Sequence, residues 1–120
     1  MVIGGSNFDI ICKVDDSMAP NSSTVSANIR TSFGGVARNL ADALARLDCK
    51  PYFISAVGPD PLGNCILSYN SKLNKDFIQI QSDAATATYC LTLTDQGDLN
   101  LGLGDMAIHQ TISGIHTILG

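Results

Sequence analysis

Between Gly34 and Leu47 the apolar residues recur with the spacing of an α-helix. Intervals of four, four and three residues place side chains on one helix face, so a helix is predicted with that face in the core. The apolar stripe consists of Val36, Leu40, Leu44 and Leu47. A second face carries charged residues at intervals of four and is predicted to face solvent. Its members are Arg38, Asp42 and Arg46.

Gly34 and Gly35 stand directly before this helix. They lack β-carbons, and the N–H groups of a first helical turn have no acceptor within the helix, so such a start can bind a ligand's hydroxyl groups or phosphates. Asn39 is the one amide side chain near this start, and it is either a ligand contact or an ordinary helix-start residue. The pair alone is not a specific motif, because it matches neither G-x-G-x-x-G nor a Walker A loop.

Segments with strand-like patterns lie on both sides of the helix. The predicted strands cover residues 1–5, 8–14 and 52–57, with an irregular strand at 25–33. The order strand, helix, strand favours a parallel sheet with a right-handed crossover, in which the helix covers one sheet face. The predicted fold class is therefore α/β.

The second half of the chain predicts four further elements. Pro59 and Pro61 interrupt the chain, and a second helix is predicted to end near Lys75. A strand then begins at Phe77. Threonines alternate with other residues ahead of a compact D-Q-G-D turn, which predicts a hairpin. The hairpin strands are residues 86–94 and 99–103, and helical spacing of apolar residues predicts a final helix over 106–119.

Composition and charge restrict the classes of partner. The 120-residue chain is long enough for one domain, and 45% hydrophobic with 15% charged residues is a globular composition. A net charge of −4 with a pI near 4.7 provides no basic surface for nucleic acid or an anionic membrane. No apolar run approaches the roughly 18 residues that span a bilayer, and no signal peptide is evident. We expect a cytoplasmic protein that binds a small molecule.

The cysteines and histidines do not form a metal-binding or redox motif. The four cysteines, at positions 12, 49, 65 and 90, are far apart and are predicted to be buried, reduced thiols. His109 and His116 are seven residues apart with no nearby acid, so they are predicted to be surface residues rather than metal ligands.

Asn7 and Asp9 follow a glycine turn and are separated by one residue. On an extended backbone their side chains point the same way, and a carboxylate beside an amide can bind two neighbouring hydroxyl groups of a sugar. The alternative is a turn in which both side chains cap their own backbone.

Gly102 to Asp105, with the sequence GLGD, looks like an anion-binding loop with a base attached. Because it follows a predicted hairpin strand, we interpret it as a turn at the end of that strand.

Three segments resemble motifs of the ribokinase-like, or PfkB, family of carbohydrate and nucleoside kinases. GGSNFDI is similar to the family's opening strand and turn, TSFGGVARNLADALARL to its glycine-pair helix, and YFISAVGPDPLGN to its G-D-x-x-G turn. Pro59 departs from this pattern, since many relatives carry aspartate there. The resemblance implies that residues 1–120 are the amino-terminal part of a ribokinase-like, Rossmann-type layered sheet with helices and a small β lid. GGVARNLADALARL and TATYCLTLTDQGDL are most similar to pseudouridine kinases.

The resemblance also implies a set of substrate contacts. The ribosyl hydroxyls would be bound by Asn7, Asp9, Gly34, Gly35 and Asn39. Residues 15–33 would form a lid that closes over the sugar and excludes water. Base contacts are expected from Thr86, Thr88 and Asp105, and a homodimer through the lid is implied because lid strands of such kinases pair between subunits.

ATP and Mg²⁺ are the cofactors implied for a full-length family member. The family's catalytic aspartate lies in a G-A-G-D loop that is absent from these 120 residues. Asp105 does not match it, because Leu99 and Asn100 stand where the motif has Asp and Thr. No catalytic residue, metal ligand or nucleotide contact is therefore predicted in this chain.

The leading hypothesis is the substrate-binding half of an ATP-dependent sugar or nucleoside kinase that phosphorylates the 5′-hydroxyl of pseudouridine, inactive without the G-A-G-D and ATP-binding half. The alternatives are a non-catalytic module that binds a ribosyl group or nucleoside, and a subunit completed by a second chain.

Overall fold

Two β-sheets and two α-helices make up the part of the chain that the computed structural model describes, residues 1–15 and 24–115. A short 3₁₀-helix at Ala107–Thr111 follows the last strand. The elements in chain order are β1 (Val2–Ile3), β2 (Asn7–Val14), β3 (Ala27–Gly34), α1 (Val36–Arg46), β4 (Phe53–Val57), α2 (Pro61–Ser68), β5 (Ile78–Ile80), β6 (Thr88–Leu93) and β7 (Leu99–Asp105).

The first sheet is parallel, with strand order β1, β4, β5. Every residue of its central strand, β4, is buried, as expected for a parallel strand whose two faces are both covered. Helix α1 follows β3 and packs against β1 and β4, which pair in parallel. The predicted parallel sheet with a helix against it is therefore confirmed, but the strand directly before the helix, β3, pairs with β2 rather than with β4.

The second sheet is mixed, with strand order β3, β2, β6, β7. β2 pairs antiparallel with β3 and parallel with β6, whereas β6 and β7 form the predicted antiparallel hairpin. Gly97, with φ of 88°, donates its N–H to the Thr94 carbonyl in the hairpin turn. Gly102 to Asp105 belong to β7, so their interpretation as a turn is wrong.

The prediction that the apolar stripe of α1 is buried is also wrong. Val36, Leu40 and Leu47 are 87%, 52% and 74% exposed, and Leu44 alone of the stripe is partly buried. The fully packed residues of this helix are Arg38, Ala41 and Ala45. These three residues also have helical spacing, and the small alanine side chains allow the helix to lie close to the sheet. Arg38, predicted to face solvent, is 6% exposed.

The other two predicted helices are shorter than expected. α2 ends at Ser68 because Tyr69 is extended and Asn70 adopts a positive φ of 54°, so Leu73 reaches the core from a turn. The final segment forms the 3₁₀-helix, and Ile112 after it is extended. Residues 116–119 of the predicted helix, with His116, lie outside the described residues, as do residues 16–23 of the predicted lid.

The cysteines are free but not buried as predicted. Cys49 and Cys65 are exposed, because one lies in the turn after α1 and the other on the outer side of α2, and Cys12 and Cys90 are partly buried. Along the described ranges, no helix is both long and apolar enough to cross a membrane.

The side chain of Asp60, together with Thr86, links the end of β4, the start of α2 and the segment before β6 through hydrogen bonds. It caps the amino terminus of α2 by accepting the Gly63 N–H at 2.8 Å, with Pro61 at the first helical position. It also accepts the Thr86 N–H at 2.8 Å and the Thr86 hydroxyl at 2.7 Å. Gly58, after β4, donates to the same hydroxyl at 2.9 Å. The G-D-x-x-G turn therefore forms despite Pro59.

These contacts lower the pKa of Asp60. Burial acts to raise the pKa, but the hydrogen bonds from Thr86 and from the backbone of Gly63 and Leu62 outweigh burial. Because the folded-state pKa lies below the unfolded value of about 3.9, the ionised carboxylate stabilises the fold at higher pH. This contribution is lost as pH falls through the lowered folded-state pKa.

We expect Asp60→Ala to lower the free energy of unfolding by about 1–3 kcal/mol at pH 7, because the cap and the Thr86 contacts are lost. The loss of stability below about pH 4 should also be smaller than in the wild-type chain. Urea unfolding at pH 7, 4 and 3 measures both effects. Asp76→Ala, at an exposed aspartate, is the control, and equal behaviour of the two variants would contradict the assignment.

Candidate functional site

A cavity of about 830 Å³ lies where the start of α1 meets the first residues of β2. All five residues predicted to contact a ribosyl group line it: Asn7, Asp9, Gly34, Gly35 and Asn39. The second half of the chain contributes Tyr89, Met106 and His109 to the same cavity, and these were not predicted. The fold therefore brings together residues that are more than 100 positions apart in the chain.

Asn7 and Asp9 point the same way from the start of β2, as the extended backbone predicts. The Asn7 amide Nδ2 donates to Asp9 Oδ1 at 2.5 Å, and Asn7 is 5% exposed. This contact joins the two side chains, which favours the paired arrangement over separate backbone caps. Among the described residues no donor is found for Asp9 Oδ2, which is therefore an available acceptor at the cavity.

The glycine pair is required by close packing. Asn7 and Gly34 are partners in the β2–β3 register, and a β-carbon on Gly34 would overlap the side chains of Asp9 and Asn7. Gly35 has a φ of 96°, and a β-carbon there would overlap the Gly5 carbonyl oxygen. Any larger residue at these positions would displace the side chains that line the cavity.

Gly35 is also the first residue before α1, and no side chain caps this helix. The first-turn N–H groups of α1 therefore remain available at the cavity, which Gly35, Val36 and Ala37 line. No acidic residue lies in the first turn to offset the positive end of the helix dipole. This end of the cavity favours ligand oxygen atoms.

Asn39 donates its backbone N–H to the Gly35 carbonyl at 2.9 Å and is thus part of the helix. Its side-chain Oδ1 accepts a hydrogen bond from Arg38 Nη2. Arg38 also donates from Nε to the Gly34 carbonyl at 3.2 Å and from Nη2 to the Phe33 carbonyl at 3.1 Å. The buried Arg38 thus contacts both the glycine pair and Asn39.

His109 is partly buried at the cavity, so the prediction of a surface residue is wrong. Its Nε2 lies 3.2 Å from the Ser6 carbonyl oxygen, and a carbonyl can only accept, so Nε2 carries the proton. In the neutral ring, Nδ1 is then an acceptor. The ring packs on Gly5, and the neighbouring Ile108 is buried against Ala56 and Ala87. Sequence spacing contained no signal for this contact.

Comparison with known proteins identifies the family. A family model described as pfkB family carbohydrate kinase matches residues 1–113. This chain belongs to the pfkB carbohydrate kinase family. It is 30% identical over 115 residues to the pseudouridine kinase of Escherichia coli K12, with 94% of this chain and 36% of that protein covered. It is 31% identical over 106 residues to a nucleoside kinase of Methanothermobacter thermautotrophicus, with 83% and 33% covered.

Arabidopsis thaliana ribokinase complexed with ribose and ATP has the same fold over the matched part, with a TM-score of 0.72 and 22% identity. The match covers 88% of this chain and 34% of that one. This pfkB chain therefore spans about a third of the length of these relatives and forms part of the ribokinase-like α/β fold, as the sequence predicts.

The three predicted base contacts of this pfkB chain do not line the main cavity. Thr86 is 2% exposed, and its hydroxyl donates to Asp60. Thr88 and Asp105 line a separate cavity of about 330 Å³ between β6 and β7. Tyr89 and His109, by contrast, share the main cavity with the five predicted sugar contacts.

Among the described residues, no arrangement fits Mg²⁺ or the phosphates of ATP. Across residues 1–15 and 24–115, no group of three His, Cys, Asp or Glu side chains is arranged to hold a metal ion. The GLGD segment is an extended edge strand rather than a loop before a helix, so it does not form an anion-binding cradle.

We expect Gly35→Ala to destabilise the chain by about 2 kcal/mol more than Gly97→Ala. Both glycines have a positive φ, 96° and 88°, so both variants carry backbone strain. Only at Gly35 does the added methyl group meet another backbone atom, whereas Gly97 has open space. Urea unfolding measures the difference, and equal losses would show that the close approach to Gly5 is unimportant.

Proposed function

We propose that this chain forms the substrate-binding portion of an ATP-dependent kinase for a sugar or nucleoside, with pseudouridine as the preferred substrate. The supporting observation is the convergence of Asn7, Asp9, the glycine pair and Asn39 on one cavity at an uncapped helix start. The names of the relatives, pseudouridine kinase and nucleoside kinase, support a nucleoside.

The chemistry of the cavity suits a pair of neighbouring hydroxyl groups. Asp9 Oδ2 can accept a hydrogen bond from a ligand hydroxyl group, and the α1 N–H groups can donate hydrogen bonds to ligand hydroxyl oxygens. A charged acceptor that is partly buried makes hydrogen bonds of about 1.5–3 kcal/mol. Asp9 is therefore proposed as the main determinant of affinity for the sugar. Strand β3 is proposed to form part of a lid over the sugar.

Phosphoryl transfer is proposed to require the G-A-G-D loop and nucleotide site of the longer pfkB proteins. ATP would supply the phosphoryl group. The cavity residues of this chain would hold the acceptor sugar and keep water away from its hydroxyl groups. We therefore expect the 120 residues alone to bind the sugar without phosphorylating it.

Asp9→Asn should weaken the binding of pseudouridine and ribose by about 10- to 100-fold, because a charge-assisted hydrogen bond is replaced by a neutral one. Isothermal titration calorimetry measures the affinity. Asp98→Asn, at an exposed aspartate in the hairpin turn, should leave it unchanged. Wild-type affinity in Asp9→Asn, or no affinity for either ligand in the wild-type chain, would contradict the proposed function.

The second sheet is proposed to pair with a second copy of the chain. β7 is an edge strand, and its alternate residues Leu99, Leu101 and Leu103 are 61%, 52% and 61% exposed on one face. Ile29 on β3, at the opposite edge, is 66% exposed. An apolar edge strand of this kind is a surface on which another strand can pair.

Leu101→Glu should convert a dimer into a monomer, because a charge would be buried at the proposed interface. Sedimentation velocity of the wild-type and variant chains measures the assembly. Leu47→Glu places the same charge on α1, where the leucine is 74% exposed, and should remain dimeric. A monomeric wild-type chain at micromolar concentration would overturn the proposed interface.

A further inference from the structure

Arg38 is a buried cation directly beside the candidate site. It is 6% exposed, and no ion pair with a carboxylate is found for it among the described residues. Its guanidinium carbon lies 6.0 Å from the centre of the Phe33 ring and 5.3 Å from that of the Tyr69 ring. Nη1 is buried without a hydrogen-bond partner, alone among side-chain N and O atoms of the described segments. Burying a cation costs free energy, so a buried arginine without an ion pair suggests a specific purpose.

The hydrogen bonds of Arg38 suggest that purpose. The guanidinium donates to the carbonyls of Phe33 and Gly34 and to the side chain of Asn39. The first two groups belong to the end of β3 and the glycine pair, and the third is the amide that lines the cavity. One planar group with fixed donor directions thus holds the glycine pair and Asn39 relative to each other.

We propose that Arg38 is a positioning residue that sets the orientation of the Asn39 amide; this inference rests on the proposed function of the cavity. A guanidinium has donors only, so the Asn39 atom that it contacts must be Oδ1. The Nδ2 group of the same amide is then left to donate to a ligand oxygen. Oδ1 and Nδ2 of an amide have similar shapes, so their assignment here follows from the fact that Arg38 can only donate.

The contact also alters the strength of the amide as a donor. Hydrogen bonding of a cation to Oδ1 draws electron density from the amide, so the Nδ2 protons become better donors. Asn39 would then donate a hydrogen bond to the ligand, and Asp9 would accept one from the same ligand. The cavity would accordingly select a ligand with an oxygen acceptor at Asn39 and a hydroxyl donor at Asp9.

The first test is a double-mutant cycle in the full chain. Arg38→Met keeps an unbranched apolar side chain against the two rings but removes the donors, and Asn39→Ala removes the amide. We expect Arg38→Met to weaken pseudouridine binding about tenfold when Asn39 is present and less than twofold in the Asn39→Ala background. Arg46→Met, on the exposed side of α1, should not change affinity. Equal losses in both backgrounds would overturn the inference.

The second test needs no ligand. In ¹⁵N-labelled protein the two Nδ2 protons of Asn39 should shift in Arg38→Met and remain unchanged in Arg46→Met. If the Asn39 signals shift but the wild-type chain binds neither pseudouridine nor ribose, the proposed function fails and the positioning role stands. Unchanged Asn39 signals in Arg38→Met would overturn the positioning role, whether or not a ligand binds.

Arg38→Lys covers the case in which Arg38→Met does not fold. Lysine keeps the charge, but a single ammonium group cannot reproduce the planar arrangement of donors. We expect the Asn39 amide signals to shift and affinity to fall about fivefold, with the unfolding midpoint close to that of the wild-type chain. Wild-type signals and affinity in Arg38→Lys would contradict the proposed role.

Discussion

The site depends on how closely three pieces of backbone approach one another at the glycine pair. The antiparallel pairing of Asn7 with Gly34 brings β3 against the side chains of Asn7 and Asp9, and Gly35 lies against the Gly5 carbonyl. Gly5 follows β1 of the first sheet, whereas Gly34 ends β3 of the second. The cavity therefore depends on both sheets, and a β-carbon on Gly35 would force the Gly5 backbone to shift.

Two sets of contacts fix the elements that carry Tyr89 and His109 to the cavity. Asp60 and Thr86 connect the end of β4 and the start of α2 to the chain entering β6, and β6 carries Tyr89 to the cavity. Ile108, buried against Ala56 and Ala87, fixes the 3₁₀-helix from which His109 reaches Ser6. Thr86, a predicted base contact, thus has a structural role in this arrangement.

Helix α1 shows how one segment can contain two helical patterns. The leucine stripe and the series Arg38, Ala41, Ala45 both have spacings of three and four residues. The alanine face is buried because small residues allow close contact with β1 and β4, and it carries Arg38 into contact with the glycine pair and Asn39. The exposed leucines of α1 and β7 form apolar surface.

The sequence by itself determined the features that arise from neighbouring residues. These are the strands before and after α1, the hairpin with its D-Q-G-D turn and the shared direction of Asn7 and Asp9, because turn chemistry and side-chain periodicity act over a few residues. The five residues that the family motifs named as sugar contacts all line the cavity. Only the tertiary structure decided which face of α1 is buried, that Thr86 binds Asp60, and that His109 contacts Ser6, 103 positions away. Such contacts depend on how the sheets and helices pack, and no local pattern encodes that packing.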